Sequence, residues 1–163
     1  MVSEVQLPEY CTALLINTCG SCLDERELYI EEQKYLFQWI NELSINSVIL
    51  ETHVTTLTEK AIHLIKECIS DKELLFEFGQ ESTNEEVLYY CLNKPSARIN
   101  IIPIVERIHR YGAKCIINVL FGTPFLREEE QTIDAVNSIK ELFEMGIDFV
   151  VLFPINVKPN TLP

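Results

Sequence analysis

Five short apolar runs recur along the chain, at Thr12–Asn17, Ser47–Thr52, Leu74–Gly79, Lys114–Phe121 and Asp148–Phe153. Each gives way to polar residues and then, after the first four, to a helical pattern. A strand–helix unit repeated in series needs crossover connections, and crossovers make neighbouring strands parallel. The expected fold class is therefore α/β, built of serial βα units. In such sheets and barrels ligands bind beyond the carboxyl ends of the strands, so the strand-end residues are the ones to read for function.

The third run is the most informative, because Leu74–Ser82 is apolar at its start and polar at its end. Strand side chains alternate between faces, which puts Glu77, Gly79 and Glu81 together on a face that an ordinary core strand would keep apolar. The connecting segments carry helical stripes. Leu36, Phe37, Ile40 and Leu43 follow a charged lead at Asp24–Glu27, and Ala61, Ile62, Ile65, Cys68 and Ile69 follow a cap at Thr58. Thr83 or Asn84 caps a short helix that Pro95 must end. Two further helices, about 99–111 and 128–145, are each closed by a glycine, Gly112 and Gly146.

At 163 residues and 47% hydrophobic content the chain supports one domain: a short lead at 1–10 and a core at 11–163. A net charge of −12 argues against a phosphate-gripping surface, so an RNA partner would have to be held by regions outside this stretch. No apolar run reaches the roughly 20 residues that cross a bilayer, so no membrane partner is expected and the compartment expected is cytoplasmic. Six cysteines in a chain of this size are expected to be reduced thiols.

Collected by strand, the strand-end groups are Gly20 and Ser21, Glu51 and His53, Glu81 and Ser82, Asn118 and Gly122, then Asn156 and Lys158. Hydrogen-bonding side chains among glycines suit a polar ligand that carries ribose hydroxyls, an amine and a carboxylate.

These residues sit in motifs whose order and spacing resemble the radical S-adenosylmethionine (SAM) enzymes, most closely the archaeosine-biosynthesis type of tRNA-modifying radical SAM protein. The resemblance is carried by Cys19-Gly20-Ser21-Cys22-Leu23-Asp24-Glu25-Arg26-Glu27, Leu50-Glu51-Thr52-His53, Gly79-Gln80-Glu81-Ser82-Thr83-Asn84, Asn93-Lys94, Gly122-Thr123-Pro124-Phe125-Leu126 and Asn156–Leu162. It covers the chain from about Cys11 onward. It implies a partial (βα)6 TIM-type barrel that binds SAM and a [4Fe–4S] cluster to generate a 5′-deoxyadenosyl radical. By this match Gly20 and Ser21 stand where the family meets the methionine amine. Glu81 and Ser82 stand at the ribose and methionine portions, and Asn118 to Gly122 lie along the adenine. Glu51, His53, Lys94, Asn156 and Lys158 face cofactor or substrate.

The sequence departs from the family in one major respect: the first strand and the Cys-x3-Cys-x2-Cys cluster loop do not occur in these residues. Cys11 lies at the far end of a strand from Cys19 and Cys22, so these three cannot share a cluster. The expectation is a SAM-binding core that is inactive alone, a fragment or degenerate relative of a radical SAM enzyme. The alternatives are a non-catalytic nucleotide- or partner-binding module on the same fold and a dithiol protein using Cys19 and Cys22. Without the family's first strand, Thr12–Asn17 and the last strand become open edges, which predicts self-association or a partner chain.

Overall fold

The computed structural model describes residues 7–17, 20–94 and 100–156. Five strands alternate with helices: β1 (Ala13–Ile16), α1 (Ile30–Glu42), β2 (Ser47–Glu51), α2 (Glu59–Cys68), β3 (Glu73–Glu81), α3 (Ile102–Arg110), β4 (Lys114–Phe121), α4 (Glu128–Glu144) and β5 (Phe149–Pro154). A 3-10 turn at Val54–Thr56 follows β2, and a π-helical turn at Val87–Cys91 follows β3. The hydrogen-bonded strand order is the chain order, β1-β2-β3-β4-β5. That serial parallel topology is the α/β arrangement of a partial TIM-type barrel, as the repeating units predict.

By contacts the chain divides into two compact units. One runs to Phe78 and includes Pro103–Cys115; the other comprises Gly79–Ile102 and the chain from Ile116 onward. In the first, β1 pairs with β2 from Ala13↔Ser47 to Ile16↔Leu50, and β2 pairs with β3 from Ser47↔Glu73 to Glu51↔Glu77. The helix-period stripes read in the sequence form its core: Phe37 and Ile40 of α1, Ile62 and Ile65 of α2, and Val48 and Leu50 of β2 are all fully buried. Thr58 caps α2 by accepting the Ala61 N–H at 3.1 Å. In the second unit β4 pairs with β5 from Ile116↔Phe149 to Phe121↔Pro154. Val119 and Leu142 are fully buried there, and Leu88 nearly so.

Two helix boundaries differ from the expectation. Helix α1 begins at Ile30, not at Asp24–Glu27, because Asp24 folds the chain into turns: its carbonyl accepts the Glu27 and Leu28 N–H groups and its carboxylate accepts the Arg26 N–H. The segment after Asn84 is capped as expected, with Asn84 Oδ1 accepting from Glu86 N at 3.0 Å, but it widens to a π-helical turn in which Leu92 N reaches Val87 O.

Among the described residues β1 and β5 are the outer strands of the sheet, and their side chains are open as well. Leu15 of β1 is 48% exposed, and Phe149, Val151, Leu152 and Phe153 of β5 lie between 36% and 47% exposed. Strand β3, by contrast, is buried on both faces from Leu74 to Phe78, as parallel-sheet strands covered on both sides are. Truncating Phe76, which is fully buried, to alanine should cost about 3–5 kcal/mol. Leu15→Lys should change stability by no more than about 0.5 kcal/mol. Urea unfolding of both variants checks this contrast; equal losses would mean that β1 is buried after all.

Candidate functional site

The strand ends of the first unit form one polar cluster. Gly20 has no side chain because the Glu27 carboxylate occupies the place a Cβ would take, and that carboxylate accepts the Ser21 N–H at 2.8 Å. Ser21 is fully buried. Its hydroxyl contacts Thr52 Oγ1 and Thr56 Oγ1, the latter at 2.9 Å, and accepts the Leu23 N–H at 3.2 Å. Thr52 and Thr56 close the triangle at 2.8 Å. Ser21 therefore anchors the loop after β1 to the segment after β2, with its hydroxyl and amide both engaged. Asp24, held by Arg26 at 2.6 Å, is lowered to about 2, chiefly by that side-chain hydrogen bond.

Beside this anchor lies an acidic pair. Glu51 and Glu77 are opposite one another in the β2–β3 ladder and so share a face. Glu51 is half-buried and Glu77 buried. Burial, and then the neighbouring Glu77 charge, raise the Glu51 carboxyl above its ordinary value; His53 pulls the other way. His53 itself is exposed, its carbonyl accepting the Thr56 N–H and hydroxyl.

In the second unit the end of β3 is built around an ion pair. Lys94 donates to Glu81 Oε1 at 2.7 Å and to the Gly79 carbonyl at 2.9 Å, and both side chains are partly shielded. Glu81 has a left-handed backbone, φ 70°, which is uncommon for a residue with a Cβ. Gly79 leaves the room: a Cβ there would meet the Glu81 carboxylate and lie 3.3 Å from Lys94 Nζ. Ser82 turns away from this pair. Fully buried, it donates to Asp134 Oδ1 of α4 at 2.9 Å and accepts from the Asn84 N–H at 3.0 Å, while Ser138 accepts the Thr83 N–H at 2.9 Å.

Asn118 is buried in β4 opposite Val151. Gly122 has φ 92°, and a Cβ there would come within 2.8 Å of Ile155, so the turn and the return of the chain after β5 require glycine. Asn156 is exposed after β5, while Lys158 and Cys19 lie outside the described residues. Thr56, Asp134 and Ser138 lie outside the motifs that the sequence offers, and Glu27 and Thr52 lie within them without a role of their own. The usable signal was Asp134 and Ser138, a polar pair four residues apart within the buried stripe of α4 that also holds Ala135 and Leu142.

No family model matches the chain. An uncharacterized protein of Methanocaldococcus jannaschii is 27% identical over 148 residues, covering 90% of this chain and 40% of that protein. The archaeosine synthase subunit beta of Methanosarcina acetivorans is 23% identical over 158 residues, covering 96% of this chain and 45% of that protein. Among solved structures, SuiB of Streptococcus suis, also solved with S-adenosylmethionine bound, superposes with a TM-score of 0.58 at 15% identity over 91% of this chain and 30% of its own. The radical SAM methyltransferase TsrM of Kitasatospora setae, with tryptophan and a SAM analogue bound, gives 0.51 at 13% identity over 76% of this chain and 24% of its own. The chain is similar in sequence to the archaeosine synthase subunit and shares the fold of these two solved structures, one of them a radical SAM methyltransferase. It spans 40% and 45% of the length of these two curated relatives.

An iron–sulfur cluster needs several thiolates converging on one point. Among the described residues no three His, Cys, Asp or Glu side chains gather into a metal-binding group. The free thiols lie before β1 (Cys11), in the loop after it (Cys22), in α2 (Cys68), in the π-helical turn (Cys91) and in β4 (Cys115). These residues do not fit the cluster. Cys22, buried with its Sγ directed at the Glu51 carbonyl, is pushed up to about 11 by burial. That disfavours the thiolate on which a dithiol role would depend.

Two outcomes follow from these environments. Alkylation of Cys22 by iodoacetamide at pH 7.5 should run roughly a hundredfold slower in the folded chain than in urea, read by mass spectrometry. Equal rates would mean an accessible thiolate. Burial also raises Asp134, against the lowering effect of its Ser82 hydrogen bond. The folded state therefore binds a proton more tightly than the unfolded one, and stability is lost as pH rises from about 4 through the raised folded value. Asp134→Asn, which keeps an acceptor for Ser82, has no such loss. Its stability relative to the parent should increase between pH 4 and pH 7 in urea titrations; a pH-independent difference would mean that the carboxyl ionises freely.

Proposed function

We propose that the chain is the SAM-binding core of a radical SAM enzyme, acting with regions outside these residues, with tRNA nucleoside modification as the reaction it serves. The observation that carries the reading is the Glu81–Lys94 pair, half-shielded at the end of β3 on a strained backbone. A carboxylate there accepts hydrogen bonds from a ribose diol, and an ammonium beside it donates to the carboxylate of a methionine moiety. In the first unit the acidic pair Glu51 and Glu77 suits a cationic group such as an amine or sulfonium. Gly20, Ser21, Ser82, Asn118 and Gly122 are further proposed cofactor-side positions, and His53, Asn156 and Lys158 are the proposed substrate-side groups. A [4Fe–4S] cluster would be held by regions other than the described residues and would there supply the electron for SAM cleavage.

A second reading, a non-catalytic nucleotide- or partner-binding module, is favoured by the absence of a metal-binding group among the described residues. The open strands add a partner to both readings, a second copy of the chain or a separate segment along β1 or β5. A cytoplasmic location fits either.

Titration calorimetry of the chain with SAM and with 5′-deoxyadenosine separates the readings. Under the first, SAM binds, and Glu81→Gln weakens it roughly 10- to 100-fold, the value of a charge-assisted hydrogen bond. 5′-Deoxyadenosine binding as tightly as SAM would favour the module, and no effect of Glu81→Gln on SAM binding would overturn the site. For the edges, Leu15→Lys and Val151→Lys should each raise the monomer fraction in sedimentation velocity, whereas a parent monomer insensitive to concentration would exclude self-association.

A further inference from the structure

The outer face of α4 has no part in the proposed cofactor site, yet it carries a surface with two coupled features. Along the 17-residue helix, Ile133, Val136 and Phe143 are 59%, 43% and 52% exposed. Their spacing of three and seven places them on one stripe, opposite the buried Asp134, Ala135, Ser138 and Leu142. At the N-terminal approach Phe125 is 72% exposed on a left-handed backbone, φ 69°, an unfavourable conformation for an aromatic residue. On the flank of the stripe, between α4 and the π-helical turn, lies a cleft of about 410 Å³. Val87, Leu126 and Ile133 give it an apolar lining, and Glu130, Asp134 and Glu141 give it carboxylates, with no basic residue in its wall.

The charge selects the occupant. Helix α4 bears six carboxylates and one lysine, and Arg127, just before it, is taken up by Glu130 at 2.6 Å. Asp134 beneath the cleft is buried, with Ser82 on Oδ1 and no partner for Oδ2. A buried carboxylate oxygen without a partner is costly, and a cation seated in the cleft offsets that cost through the field even without touching it. Nucleic acid and anionic membrane are repelled by such a face. A small amine would fill the cleft and leave the stripe bare. The stripe from Ile133 to Phe143 runs about 15 Å, nearly three helical turns, which is a length another helix covers by packing alongside.

We propose that this face of α4 docks an amphipathic helix of a protein partner, whose apolar side covers Ile133, Val136 and Phe143 while a flanking arginine or lysine enters the acidic cleft. The surface acts independently of SAM binding. It joins the core to a partner by the helix-in-groove mode, with apolar anchors for affinity and the acidic cleft for register.

The test uses two synthetic 18-residue helical peptides, one with leucines on one face and arginines on the flank, the other with glutamates in place of the arginines, titrated into the chain by fluorescence anisotropy. The arginine peptide should bind the parent at least tenfold tighter than the glutamate peptide. Glu141→Lys should reverse that order, and Phe143→Ser should weaken the arginine peptide. Glu31→Lys makes the same charge change on the exposed start of α1 and should leave binding unaltered. Thermal melts of these surface variants establish that all are folded. No binding of the arginine peptide, or equal weakening by Glu31→Lys and Glu141→Lys, would overturn the proposal, because the attraction would then be absent or owed to net charge alone.

Discussion

The structure depends on β3 changing character within nine residues. Leu74 to Phe78 are buried on both faces, so every side chain there is excluded from water, including Glu77. At Gly79 the apolar run stops, and the backbone and side-chain polar groups of the strand end must find partners inside the protein. They find them at short range and long range alike: Gly79 and Glu81 at Lys94, Ser82 at Asp134 and Ser138. An apolar strand fixes position, and a polar terminus then converts that fixed position into aimed functional groups. The same division holds for β2, where Val48 and Leu50 are fully buried while Glu51 on the opposite face is half-buried.

This arrangement carries an electrostatic cost. Glu51 and Glu77 are neighbours across a ladder, and like charges directly opposite each other destabilise a sheet. Asp134 adds a buried carboxylate with one oxygen unpartnered. Elsewhere the chain neutralises its acids well: Glu73 is lowered by Lys114, Glu130 by Arg127 and Asp24 by Arg26, each first through a side-chain hydrogen bond. The raised carboxyls of Glu51 and Asp134 thus stand out against the lowered ones, and they fall at a strand end and beneath a cleft. Destabilised groups concentrated at such positions are the usual mark of places built to meet something else.

The elements were legible in the sequence because their signals are local. Apolar runs of strand length located all five strands. The stripe Ile62, Ile65 and Ile69, the Thr58 cap and the glycines at 112 and 146, with φ 70° and 89°, marked helices and their ends. The candidate site was legible as a set of strand ends but not as a set of contacts. Gly20 reads as a glycine that admits a ligand, yet the space it leaves is filled by Glu27. Ser82 reads as a ligand contact, yet it bonds to a residue 52 positions away on α4. Such pairings depend on which helix face meets which loop, and no local pattern encodes that. The expected start of α1 failed for a related reason: Asp24 is a turn former whose side chain captured the Arg26 amide and guanidinium before a helix could begin.

Backbone strain gives the last piece of the argument. Outside glycine, left-handed residues occur among the described residues only at Glu81, Asn93 and Phe125. Asn93 is a modest departure, since its short amide tolerates that conformation. Glu81 and Phe125 are not, and each costs on the order of 1–3 kcal/mol. Two of the three flank a single ion pair, with Glu81 supplying the carboxylate and Asn93 turning the chain so that Lys94 can reach it. The pair itself, more than a fifth exposed on each side, returns little stability. A strained, partly shielded ion pair is therefore poor as a structural device. Under the proposed function its persistence is accounted for by what it presents at the end of β3, a carboxylate and an ammonium held in fixed relation for a ligand that needs both.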